Sequence, residues 1–143
     1  MRVTKVWSAA EEAGQSRVLV AADAVPAGFP SPAQDYFDGP LNLNDHLMGD
    51  QTATFILRVV GDSMIGAGIF HGDEILVDRS LTPAEGNVVV AVLDGELTVK
   101  RLHLLRSGGV ELRPENAAYP VIRMREYSEL HIWGVVTRCL HRV

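Results

Sequence analysis

Ser63 stands in the turn-forming stretch Gly61-Asp62-Ser63-Met64, and Lys100 stands well downstream in the β-prone stretch Leu97-Thr98-Val99-Lys100-Arg101-Leu102. A serine hydroxyl is a poor nucleophile until a neighbouring base takes its proton. Lysine is such a base only when neutral, and its ordinary pKa of about 10.4 leaves it almost wholly protonated at pH 7. Bringing that value to the working pH takes a shift of about three units, about 4 kcal/mol, which burial in an apolar wall can supply. Ser-Lys pairs are one variant of serine catalysis. In an extended strand Thr98, Lys100 and Leu102 share a face. Thr98 is then expected to steer the amine by a hydrogen bond, and Leu102 to exclude water. Gly61, Gly66 and Gly68 give the serine loop the torsional freedom to present a hydroxyl and backbone amides together. The N–H groups of Asp62 and Ser63 are the candidate oxyanion hole, since a tetrahedral intermediate needs preorganised donors. The plainer readings are a lysine on a wet strand face and a simple turn between strands.

A cleavable segment lies in the same chain. Residues 25–32 carry Pro26, Gly28, Pro30 and Pro32, and the prolines hold the backbone extended and resist helix. Proteases read extended peptides, so this stretch is preshaped as a substrate; the competing reading is a linker. Ser31 and Pro32 then look like an N-cap and first helical residue of a short turn through Tyr36.

Other chemistries fit less well. Gly61-x-Ser63-x-x-Gly66 misses the Gly-x-Ser-x-Gly elbow by one residue, and no Gly-Lys-Ser/Thr phosphate loop occurs. His71 is an alternative base. His71, His103, His131 and His141 fall at no recognisable ligand spacing, although His131 and Cys139 share one expected strand, so no metal and no cofactor is expected. The single Cys139 excludes an internal disulfide and fits a reducing cytoplasm.

The 143 residues suit one ordinary domain, and 47% hydrophobic with 22% charged residues argues for a folded core. The formal net charge of −5 argues against direct DNA binding, which needs excess Lys and Arg on one face. The longest apolar run, Asn87-Val88-Val89-Val90-Ala91-Val92-Leu93, is too short to span a membrane. Val18-Leu19-Val20-Ala21-Ala22 resembles a signal core faintly, but Glu11, Glu12 and Gln15 stand where basic residues belong.

These residues must be positioned by strands. The first 24 residues read as an extended arm with at most one short strand or hairpin, too short for a helix-turn-helix module. Asn42 or Asn44 caps a brief helical turn. Alternation marks strands at residues 54–60, 74–77, 88–93, 96–102, 110–113, 121–124 and 130–141, with Asp94-Gly95 as a two-residue hairpin turn. The expected fold is mostly β, with short helical turns.

Together the motifs carry a resemblance. Ala27-Gly28-Phe29-Pro30-Ser31-Pro32, Leu43-Asn44, Gly61-Asp62-Ser63-Met64-Ile65, Gly72-Asp73, Val77-Asp78, Asp94-Gly95-Glu96-Leu97-Thr98-Val99-Lys100, Pro114-Glu115-Asn116, Ala118-Tyr119 and Trp133-Gly134-Val135-Val136 stand in order from about Ala24 onward. In that order and spacing the chain resembles the LexA-like S24 peptidases, and among them the UmuD-like self-processing subunits. The resemblance implies a compact LexA/UmuD-like β domain with Ser63 as nucleophile, Lys100 as general base and Ala27–Gly28 as the scissile bond. It implies an arm of residues 1–27 removed by self-cleavage, a domain of residues 28–143, and a homodimer. It further implies stimulation by a RecA filament on single-stranded DNA, and association with a Y-family, UmuC-like translesion polymerase. Ala27 departs from the Cys that UmuD-like proteins can carry there and matches the LexA-like repressors; residues 1–24 resemble nothing. Two alternatives stay open: a signal-peptidase-like protease acting on other chains, and a non-enzymatic β interaction module.

Overall fold

A computed structural model of the chain describes residues 1–9, 17–21 and 37–143. The segment expected to be cleaved, with Ala27 and Gly28, and the turn expected at residues 31–36 lie outside the described residues. In chain order the strands are β1 (Arg2–Ser8), β2 (Arg17–Ala21), β3 (Phe37–Asn42), β4 (Thr54–Val60), β5 (Glu74–Asp78), β6 (Val88–Leu93), β7 (Glu96–Leu104), β8 (Val110–Arg113), β9 (Ile122–Met124) and β10 (His131–Leu140). Eight of them form one antiparallel sheet in the order β1-β4-β5-β10-β6-β7-β8-β9, while β2 and β3 pair separately. β1 also meets β7, with Arg2 opposite Thr98. The strands from β1 to β7 therefore form a ring, joined at the start of β1, where its otherwise open edge is covered. The mostly-β architecture with few helical turns is as the sequence predicts.

The apolar run of β6 is continuous because both of its faces are covered. Val90 packs with Leu57, Val59, Met64, Ile75, Val77 and Val99. Val89 and Ala91 pack with Leu102, Val110, Leu112, Leu130 and Val135. Each fully buried valine or leucine is worth about 1.5–3 kcal/mol, so these two clusters hold the sheet that carries Lys100. The β6–β7 turn has φ of 50° at Asp94 and 77° at Gly95, the paired left-handed geometry of the expected type I′ turn.

Three local features differ from expectation. The N-terminal residues supply two strands that pair with different partners, rather than at most one short strand or hairpin, and β1 belongs to the main sheet. Their alternation is weak because β1 is exposed along most of its length and is held by backbone pairing to β4. β3 precedes the short helix α1 (Leu43–Leu47), although Gly39 and Pro40 inside it argue locally against a strand. The α1 cap resolves to Asn42, whose side chain accepts the Asn44 N–H at 3.0 Å.

Candidate active site

β4 ends at Val60, and Gly61 turns the chain with φ of 103°, a conformation that disfavours residues with a side chain. The Gly61 N–H donates to His71 Nδ1 at 3.2 Å. Ser63 follows, fully buried, and the fully buried Met64 beside it anchors the loop in the core. The chain then makes a short 3-10 turn over Ile65–Ala67.

A second loop, from Pro114 to Tyr119, braces the first. Glu115 donates its N–H to the Ser63 carbonyl at 2.7 Å, and Gly66 donates to the Glu115 carbonyl at 2.9 Å. Asn116 Nδ2 donates to the Asp62 carbonyl at 3.0 Å, and the Tyr119 hydroxyl donates to the Asp62 carboxylate. No protein acceptor among the described residues takes the N–H of Asp62 or Ser63.

Lys100 comes from the middle of β7, in register with Val89 of β6. It is 6% exposed, and its Nζ donates to Ser63 Oγ at 3.3 Å. Burial pulls the Lys100 pKa below its ordinary value, and a hydrogen bond with the Met1 α-amine opposes that pull. Bringing a depressed lysine to a buried serine hydroxyl makes a pair in which the neutral amine can take the hydroxyl proton.

The expected role of Thr98 is corrected. Its hydroxyl donates to the Met1 carbonyl at 2.8 Å, because β1 lies beside it, and not to Lys100. Leu102, on the same side of β7, is fully buried in the second apolar cluster. Met1 itself was unforeseen. Its α-amine lies 2.5 Å from Ser63 Oγ in a buried hydrogen bond. No sequence signal marks that contact, since it depends on β1 entering the sheet. Glu115, Asn116 and Tyr119 belong to the motifs that carry the resemblance, but nothing local in the sequence marks them as braces of the serine loop.

The other titratable groups sort elsewhere. His71 bonds the Gly61 amide, and no bond joins it to Ser63. His141 Nδ1 lies 2.6 Å from Asp73 Oδ1, and Cys139 Sγ donates to Asp73 Oδ2 at 3.3 Å. Burial would raise the Asp73 carboxyl, but hydrogen bonds from Phe70, His141 and Cys139 outweigh it and hold the pKa low. Among the described residues no three His, Cys, Asp or Glu side chains gather to hold a metal ion. Among them also, no helix is long and apolar enough to cross a membrane.

With β strands that carry a serine and a lysine to one buried point, the fold and site define a peptidase class. Residues 19–137 match the family described as Peptidase S24-like, and the chain belongs to that family as a UmuD-like member. Among its relatives is Protein SamA of Salmonella typhimurium strain LT2, 42% identical over 132 residues, covering 92% of this chain and 91% of SamA. Protein MucA of Escherichia coli is 47% identical over 117 residues, covering 81% of this chain and 79% of MucA. The LexA repressor of Magnetococcus marinus is 43% identical over 115 residues, 78% of this chain but 47% of the repressor.

Proposed function

We propose that the chain is a self-cleaving serine peptidase with a Ser63–Lys100 dyad that cuts its own Ala27–Gly28 bond. The supporting observation is the 3.3 Å approach of Lys100 Nζ to a fully buried Ser63 Oγ in a family of peptidases. Neutral Lys100 takes the Ser63 proton while Oγ attacks the Ala27 carbonyl carbon. The oxyanion that forms is held by the Asp62 and Ser63 N–H groups. The Lys100 ammonium returns its proton to the Gly28 nitrogen as the C–N bond breaks, leaving Ala27 as an ester on Ser63. Water, deprotonated by Lys100, then hydrolyses the ester and restores the hydroxyl.

Latency follows from the same chemistry. A lysine that stays partly charged is a poor base until the docked segment excludes water, so docking lowers the pKa and sets the attack geometry together. Likeness to UmuD-like proteins and to a LexA repressor supports the wider role. In that role a RecA filament on single-stranded DNA stimulates the cut, and residues 28–143 persist as a homodimer. The dimer serves a Y-family, UmuC-like translesion polymerase in the SOS response, in the cytoplasm, without binding DNA directly.

The test incubates wild type, Ser63→Ala and Lys100→Ala at pH 7 and pH 10, with and without RecA filament, and weighs the fragments. Fragments of residues 1–27 and 28–143 from wild type alone are expected, faster at pH 10 and faster with RecA. Intact wild-type chains under every condition would overturn the reading.

A further inference from the structure

β1 begins before the residues matched by the peptidase family, yet it occupies the place next to the dyad. It lies between β4 and β7, paired along β4 and touching β7 through Met1 and Arg2, while a cavity of about 300 Å³ separates Arg2–Val6 from Gly95–Leu97. Along β4 it pairs from Arg2 opposite Val60 to Ser8 opposite Phe55. At β7 the Met1 carbonyl accepts the Val99 N–H at 3.0 Å and the Thr98 hydroxyl at 2.8 Å. The Met1 side chain is buried in the cluster of Leu57, Val59, Met64 and Val99. The α-amine then reaches Ser63 Oγ at 2.5 Å.

Carbonyl, side chain and amine are thus each held, and the amine points at the attacking oxygen. In acyl transfer that is the place of the amine that has just left, with its chain running away along the groove. We propose that the β4–β7 channel is a binding site for an extended peptide with a free α-amino end, and that residues 1–8 are its resident ligand, shielding Ser63 until β1 undocks. The proposal rests on the reading of Ser63 as nucleophile. Backbone pairing supplies the affinity, as in other strand-addition sites, and the buried Met1 pocket supplies the selectivity.

Two consequences follow. A seated β1 bars any peptide from the place it holds beside Ser63, so the rate at Ser63 scales with the undocked fraction. An undocked fraction of about 1–10% slows chemistry about 10–100-fold. While β1 is seated its α-amine also holds the same Ser63 Oγ that Lys100 must deprotonate.

The test labels Ser63 in the full chain with a fluorophosphonate and reads the rate by mass. Lys5 and Arg58 face each other across β1 and β4, so Lys5→Cys with Arg58→Cys can staple the strand by a disulfide. The oxidised staple is expected to label about 10–100-fold more slowly than the reduced one. Thr98→Val, which removes one hydrogen bond from β1 at nearly constant volume, is expected to label about fivefold faster than wild type. Equal rates in both comparisons overturn the proposal and leave Ser63 as nucleophile. Absence of label in every form overturns the nucleophile reading and the proposal with it.

Discussion

The carbonyl oxygen of Glu115 occupies the space where a side chain on Gly66 would begin, since a Cβ there would lie 2.6 Å away. Gly66 also donates its N–H to that same carbonyl at 2.9 Å. The serine loop and the Pro114–Tyr119 loop are thus pressed backbone to backbone, and the Glu115 N–H on the Ser63 carbonyl completes the clamp. Gly66→Ala must part them. The variant is expected to lose about 1–3 kcal/mol of stability from overpacking. It is also expected to self-cleave about a hundredfold more slowly, because a displacement of the nucleophile of about 1 Å has that cost. Urea unfolding and fragment sizing at pH 10 check the two effects separately.

Lys100 sets a dependence on pH whose sign is fixed by burial. Its folded pKa lies below the ordinary lysine value of about 10.4, so between the two the unfolded chain binds more protons. Stability therefore rises with pH across that window, and the destabilisation below it is the cost of a buried charge. Lys100→Met removes the charge and keeps the volume. It is expected to raise the melting temperature at pH 7, to lose that advantage toward pH 10, and to abolish self-cleavage. A variant less stable than wild type at pH 7 would contradict a buried, unfavourable ammonium.

The Met1 α-amine gives a second, lower window. Burial first, then the charge and hydrogen bond of Lys100, lower its pKa from 8.0 to about 6, with Asp62 opposing. Between about pH 6 and 8 the unfolded chain again holds more protons, so stability contributed by a seated β1 grows as pH rises through that interval. Below it the amine is charged beside a second cation, and β1 is expected to loosen. Thermal unfolding from pH 5.5 to 8.5 (wild type against a chain acetylated on the Met1 amine) reads this directly. The wild-type curve should be steeper between pH 6 and 8.

Cys139 is expected to resist alkylation. Burial and its hydrogen bond to the Asp73 carboxylate push the thiol up to about 12, so almost no thiolate exists at pH 8. Iodoacetamide at pH 8 should modify Cys139 slowly in the folded chain and fast in urea. Asp73→Asn removes the repelling carboxylate, and its folded form should react faster.

Much of this architecture is written locally. The alternation of Phe55, Leu57 and Val59 against Thr54, Ile56 and Arg58 foretold β4, and Asp94-Gly95 foretold the β6–β7 hairpin, because period and turn chemistry depend on adjacent residues. The residue types of Ser63 and Lys100 already named a chemistry. β3 was not legible, since its pairing with β2 overrides the local message of Gly39 and Pro40. The bracing by Glu115, Asn116 and Tyr119 was not legible either, because it joins segments more than fifty residues apart.

What the amino-acid order determined alone was a β-rich chain with a serine in a glycine turn, a lysine in an apolar strand, and a single cysteine. Only the tertiary structure decided that these two side chains meet at 3.3 Å, and that β1 closes the ring with its amine at the same oxygen. The reason is physical. The strands around the site are foreshadowed by their neighbours in the chain, whereas the approach of Ser63 to Lys100 requires β4, β5, β10, β6 and β7 to stand in one order and register. That order comes from burying two apolar clusters at once, which no single stretch of residues can specify.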